Sequence, residues 1–409
     1  MENKFKRVKY ACYTANLTMS IVGNLSPLLF LTFRELYDIS FSLLGLLVLV
    51  NFTTQLLIDL AFSFFSHKFN IPLAVKMTPA IAVLGIAFYA LSPMIFRENV
   101  YLGLVIGTII FSASAGFAEV LISPVIAAIP SDNPEREMSK LHAVYAWGVV
   151  GVVIFATLFL LAFGAEKWQL LSAIFMLVPL SSFLLFTGAE IPEMEKPEKL
   201  SGTLGFLRER GLWLCVLGIF LGGAAECTMA QWASSYLEAA LGIPKVWGDV
   251  FGVAMFAAML GLGRSLYGKF GKNVSKVLLL CAIGSVICYF FAAISPYAIV
   301  GLLACALCGL CTSMLWPGNL VHASEKYASG GVVLYALMAA GGDLGASVSP
   351  QLVGVIADNA IVNSTLVSFA ESVGLSPEQL GIKLGMLVGM IFPLIAIPIY
   401  AHFIKNAKK

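Results

Sequence analysis

Charge is what this sequence has least of. Only 12% of its 409 residues are Asp, Glu, Lys or Arg, 23 acidic and 25 basic, about half the ~25% of a soluble globular domain. So little charge excludes a soluble enzyme, a nucleic-acid binder and a disordered scaffold. The net charge of +2 and the pI near 8.0 are too weakly basic to imply a polyanionic partner such as nucleic acid. Histidine is scarce, at four residues, and the eight cysteines all fall in apolar stretches, so no disulfide framework is implied. Cys305, Cys308 and Cys311 share a helical spacing, but no His or acid lies within a turn of them. Small apolar packing residues are the better reading, and no metal is expected. Phosphate-cradling glycine loops, HExxH helices and GxSxG elbows are missing as well. Without them there is no case for ATP-driven transport, an intramembrane hydrolase or any cofactor, and the chain is read as no enzyme. The first apolar run is long and has no small-residue cleavage site, so it reads as a true span and not as a signal peptide.

What remains is apolar. Such residues make up 59% of the chain, roughly 240 positions, and at ~20 per helical crossing they fill about twelve crossings. Runs bounded by charged or Pro/Gly-rich breaks lie near 10–32, 41–65, 72–95, 100–129, 139–164 and 168–188. Six more lie near 211–238, 247–268, 275–295, 298–321, 330–357 and 381–403. Between the sets, residues 189–210 form the longest charged segment, a solvated linker with room for a short surface helix. The expected organisation is a six-helix bundle over 1–188, a cytoplasmic linker over 189–210 and a second six-helix bundle over 211–409. With both termini cytoplasmic, 20 Lys and Arg fall on the inner side and 5 on the outer, as the positive-inside rule asks. A cell-membrane (inner or plasma) location follows, with the lipid bilayer as a partner.

The halves repeat. Span 4 reads GFAEVLISP from Gly116 to Pro124, and span 10 reads GLCTSMLWP from Gly309 to Pro317, an offset of 193. Gly148 and Gly151 of span 5 match Gly342 and Gly345 of span 11 one residue out of phase, and the loops SHKFN and YGKFG correspond. Two parallel six-span repeats are expected, with any site at the midplane between them.

Acids inside spans carry most of the functional case. Asp59, Glu119, Glu226 and Asp343 lie within spans 2, 4, 7 and 11. Each costs at least ~2.5–3.5 kcal/mol in hydrocarbon, so each should face a cavity or a partner. No Lys or Arg is found at similar depth, Arg264 being nearer the inner surface. A carboxyl in that position can load and release a proton, and Glu119, Glu226 and Asp343 are the candidates for proton coupling. The bland alternative is a neutral acid tying helices together, and it weighs most on Asp343, set among Gly341, Gly342, Gly345 and Ala346. Asp59 and Arg264 are assigned to an inner gate. Asn24, Asn51, Gln55, Trp147, Gln231, Trp316 and Asn319 share these spans with the acids. Amides and carboxylates bind hydroxyls and indole faces stack on C–H surfaces, so together they suit a sugar. Ordinary packing competes for Trp147 and Trp316, and interfacial anchoring for Trp232. His142 and His322 read as satisfied structural histidines. Pro27, Pro124, Pro317 and Pro350 should kink helices around a cavity. Ser376 reads as a helix N-cap with Pro377 in the first turn, within a long outer loop.

At these residues the chain resembles a major facilitator superfamily (MFS) carrier along essentially its whole length. GFAEVLISP in span 4 and GGAAECTMAQWASSYL in span 7 are similar to the fucose–galactose–glucose:proton symporter group. The resemblance implies an alternating-access symporter, with Glu119 as a substrate or proton residue and Glu226 lining the cavity. One departure stands out: the group carries an Asn-Asp pair in span 1, where this chain has Asn24 and Leu25. Either another acid takes over coupling or the carrier is a uniporter.

The expected protein is thus an all-α membrane protein of twelve transmembrane helices in two pseudo-symmetric bundles. It would be a monomer that moves a small polar solute, a sugar or sugar derivative, with protons. Two alternatives stand beside that reading. One is the same fold exporting a drug or moving another metabolite; an anion would want a buried cation. The other is a non-transporting sensor, which the short termini do not favour.

Overall fold

Backbone groups in a bilayer find no water, so long apolar runs satisfy their hydrogen bonds internally, as helices. A computed structural model describes residues 5–65, 68–130, 134–193, 208–327 and 331–406, and among these no strand occurs. The first part of the chain holds α1 (Lys6–Leu28), α2 (Phe30–Tyr37), α3 (Phe41–Phe65), α4 (Ile71–Ile95), α5 (Val100–Ala128), α6 (Pro134–Phe163), α7 (Trp168–Phe175) and α8 (Leu177–Thr187). There follow α9 (Arg210–Ser235), α10 (Lys245–Trp247), α11 (Met255–Phe270), α12 (Val274–Ile294), α13 (Ala298–Thr312) and α14 (Pro317–Lys326). The last are α15 (Gly331–Val362), α16 (Ser364–Ser372) and α17 (Pro377–Asn406). Wide helical turns of the π type run over Tyr236–Ala240 after α9 and over Gly248–Ala254 before α11.

Among the described residues, nine helical stretches are long and apolar enough to cross a membrane. Two further crossings are broken pairs, α1 with α2, bent by 46°, and α15 with α16, bent by 83°. The apolar part of α6, Trp147–Phe163, completes twelve. Each expected crossing therefore has its helix. The linker's residues 194–207 lie outside the described residues.

Short polar residues set the helix starts. The side chains of Asn70, Asn99 and Asn273 accept the amides of Leu73, Leu102 and Lys276. Ser376 and Gln379 cap each other reciprocally: Gln379 N donates to Ser376 Oγ at 3.1 Å, and Ser376 N to Gln379 Oε1 at 3.0 Å. Of the four prolines expected to interrupt helices, Pro27 precedes the α1–α2 bend and Pro317 starts α14 after a break. Pro124 and Pro350 sit inside continuous helices.

The chain divides into two compact units, residues 1–29 with 50–200, and residues 30–49 with 201–409. The first has a core around Val8, Cys12, Phe62, Leu121 and Phe186. The second has one around Cys215, Ile219, Leu278, Leu315 and Tyr400. Residues 30–49 join the second unit through specific contacts. Trp232 is fully buried beside Phe30 and Phe41, and its Nε1 donates to Pro350 O at 3.0 Å. It is a core residue, which corrects the interfacial-anchor alternative. Asp358 accepts from Phe41 N at 3.0 Å and Ser42 N at 2.7 Å, while Ser40 Oγ takes Leu43 N. These three contacts satisfy the first amides of α3, which every helix start leaves open.

Candidate functional site

In the first unit, helical periodicity builds a polar seam. Asn51, Gln55 and Asp59 recur every four residues along one face of α3, and Ser112, Gly116 and Glu119 lie along one face of α5. Ser112 Oγ donates to Asn51 Oδ1 at 2.5 Å, and Gln55 Nε2 reaches the same oxygen at 3.1 Å. Gly116 lets the helices close: a Cβ there would lie 2.9 Å from Ile58 Cβ and 3.1 Å from Gln55 O. One turn further along, this crossing brings carboxylate oxygens of Asp59 and Glu119 within 4.8 Å of each other. Asp59 is 7% exposed, with Oδ1 unbonded, whereas Glu119 is exposed. Two carboxylates so close repel when both are charged, and one proton between them removes the repulsion.

In the second unit, a break in a helix creates the site. Pro317 has no N–H, so the carbonyl of Ser313, four residues earlier, has no helical donor. Arg264 of α11 supplies one, with Nε donating to Ser313 O at 3.1 Å. The same guanidinium reaches Glu226 of α9, Nη2 lying 3.1 Å from Oε1 and 3.3 Å from Oε2. The approach depends on Gly263, where a Cβ would fall 2.6 Å from Ser313 Cβ. Glu226 therefore has a basic partner, which corrects the expectation that the membrane acids lack one. Trp316, in the same break, lays its ring against α15 and α9: a Cβ on Gly342 or on Gly223 would meet its Cζ3 at 2.9 Å. Asp343, beside Gly342, is 4% exposed.

Asn24 Nδ2 turns back to Ser20 O at 2.9 Å. Trp147 is 73% exposed, and Gln231 is buried. Asn319 is fully buried, with Nδ2 on Leu315 O at 2.6 Å and on Tyr400 OH at 2.8 Å. His322 is not fully satisfied, contrary to expectation: Nδ1 meets Ser275 Oγ at 3.3 Å, but Nε2 is buried without a partner. The side chain of His142 lies outside the described residues. Thus Asn51, Gln55, Asp59 and Glu119 come together in one unit, and Glu226 with Arg264 in the other.

Sequence reasoning missed two participants. Ser112 was findable, since it shares the α5 face with Glu119. Ser313 was also findable, by counting back four residues from Pro317. Away from both groups, Lys383 is 7% exposed and donates to Ser295 O at 2.7 Å; nothing local marks it as buried.

No curated protein sequence matches the chain. Several solved structures share the fold. A bacterial homologue of the human lysosomal transporter Spinster, inward-facing and occupied, is 13% identical, over 99% of this chain and 98% of that one, with TM-score 0.75. A D-xylose–proton symporter is 16% identical over 96% and 97%, with TM-score 0.74. The E. coli fucose:proton symporter FucP is 16% identical over 96% and 99%, with TM-score 0.57. The model of the Major Facilitator Superfamily matches residues 11–350. The chain belongs to the major facilitator superfamily, as a membrane-spanning transporter.

Proposed function

We propose that the protein moves a small polar solute, a sugar or sugar derivative, by alternating access coupled to protons. The observation that carries this reading is the Asp59–Glu119 pair, with carboxylate oxygens within 4.8 Å beneath the Asn51–Gln55–Ser112 seam. A proton shared by the pair changes the local charge by one unit, and solute binding senses that change through the adjoining amides. Glu119 is the accessible member and takes the proton from water; Asp59 holds its counterpart. Gln231, Trp316 and Asp343, with Glu226, are assigned to the solute side of the second unit, and Asn24 and Trp147 to that of the first. Asn319 is assigned to support of that wall, through its bonds to Leu315 and Tyr400. The D-xylose and fucose proton symporters among the structural neighbours support both the solute class and the coupling.

The membrane frame belongs to the same proposal: bundles over 1–188 and 211–409 joined by a cytoplasmic 189–210 linker, both termini inside the cell membrane, and a monomeric carrier. A second reading is favoured by Arg264. Its guanidinium on Glu226 gives the second unit a cation that can exchange the carboxylate for an anionic solute, as an organic-acid or other metabolite permease requires.

Proteoliposomes test the proposal, after a thermal-shift screen of monosaccharides, amino sugars and nucleosides has chosen the solute. Uptake should acidify the lumen, and Glu119→Gln should abolish concentrative uptake while leaving exchange intact. A Glu119→Gln carrier that still concentrates solute under a pH gradient would sink the coupling role. Stabilisation by organic acids alone would move the assignment to the second reading.

A further inference from the structure

At the end of the second unit where α11 stops and α12 begins, a cavity of about 350 Å³ opens, within the ~300–1,000 Å³ range of small-molecule sites. Its wall carries Lys272 and Lys326 against a single acid, Glu325. Behind them stand Ser275 and His322. Ser275 is 3% exposed, with Oγ 3.3 Å from His322 Nδ1. The imidazole stacks on Phe403 with centroids 4.1 Å apart, which holds its plane. Its second nitrogen, Nε2, is buried without a hydrogen-bond partner. A buried nitrogen left without a partner is unfavourable, and a hydrogen bond from a ligand would relieve it.

The start of α12 points the same way. Asn273 caps it through Lys276 N and Val277 N, and neither contact involves the amides of Val274 and Ser275, two residues that line the cavity. Helix starts favour acids, because the macrodipole is positive there. The first turn of α12 holds Lys276 and no acid. Dipole, open amides and two lysines against one acid, Glu325, therefore leave a net positive corner, the setting in which helix N-termini bind phosphate.

We propose that this cavity binds a phosphate-bearing anion, with Lys272 and Lys326 as charge partners and His322 Nε2, Ser275 and the α12 start as its hydrogen-bonding wall. The phosphate comes either from a small phosphorylated molecule in the adjoining water or from a phospholipid headgroup. The site is independent of the transported solute and of the Asp59–Glu119 pair.

The test uses the purified full-length chain with imidazole nitrogens labelled, since only four histidines contribute signals. In detergent it is titrated with inorganic phosphate and with glucose 6-phosphate, glucose being the uncharged control. In nanodiscs, phosphatidylglycerol is compared with phosphatidylcholine. The expected result is a saturable shift of the His322 resonance, assigned by its loss in His322→Gln. Glucose should leave it unmoved, and Lys272→Gln with Lys326→Gln should weaken the effect by about tenfold or more, near 1.4 kcal/mol. A response to the free phosphates marks a soluble ligand, and a response to phosphatidylglycerol alone marks a lipid; either supports the site. The proposal is overturned if no phosphate source moves His322, or if binding is unchanged in the double lysine variant. Should His322→Gln fail to fold, the exposed lysine variants and the wild-type titration still decide.

Discussion

Removing the Arg264 guanidinium should expose how the second unit holds a carboxylate inside a membrane. At 3.1 Å, two unit charges attract by about 5 kcal/mol at an effective dielectric near 20. Arg264 is 41% exposed and Glu226 15%, so solvent screening and the desolvation of Glu226 reduce the net pair to about 1–3 kcal/mol. Arg264→Ala also strips Ser313 O of the donor that Pro317 cannot provide, worth roughly 1 kcal/mol. The single variant should therefore lose about 2–4 kcal/mol of stability. Arg264→Lys should fall between, because a point-charge ammonium keeps the ion pair but cannot span both Glu226 and the carbonyl. The assay is reversible unfolding in bicelles of the wild type, Arg264→Ala, Glu226→Gln and the double variant. The cycle should give a coupling of about 1–3 kcal/mol. Additive single effects, within about 0.5 kcal/mol, would refute the account and leave Arg264 as a surface charge resting near Glu226.

Asp358→Ala uncaps Phe41 N and Ser42 N at the start of α3; thermal melting should show a loss of about 2–4 kcal/mol, and Asp358→Asn, which keeps one acceptor oxygen, about half of it. Glu137, outside the apolar crossings, is hydrogen-bonded by Lys140 at 2.8 Å and paired with Lys9 at 2.6 Å, with Tyr13 donating at 3.1 Å. The lysines hold its carboxyl down at about 2, below an ordinary 4.5. A depressed carboxyl contributes stability above its unfolded value, and that share is lost as pH falls from about 4.5 through about 2. Glu137→Gln should accordingly be roughly 1–2 kcal/mol less stable than wild type at pH 6, with the gap closing toward pH 2; a gap unchanged at low pH would contradict the lysine pairing.

Much of this was legible in the residues because the signals are local. A bilayer crossing is a sum over ~20 neighbours, so hydropathy places all twelve without knowledge of packing. The Ser376 cap and the break at Pro317 depend on residues three and four apart. The seam of Asn51, Gln55 and Asp59 was equally readable, since it needs only the helical period. What acid each helix would meet was not. Asp59 and Glu119 were singled out for different duties, gate and coupling, and their shared carboxyl pair emerges only at the α3–α5 crossing that Gly116 permits.

The scarcity of charge determined, from sequence alone, that this is a polytopic helical protein and that its few membrane acids matter. Tertiary structure alone decided their partners. Arg264 lies 38 residues from Glu226 on another helix, and it reaches the acid because Gly263 and the open Ser313 carbonyl set how α11 meets the break before α14. Likewise Trp232 became core once Phe30 and Phe41 closed over it. The reason is physical: hydrophobicity acts through composition and period, whereas an ion pair or a buried ring depends on the rotation and approach of two helices, which no local stretch encodes.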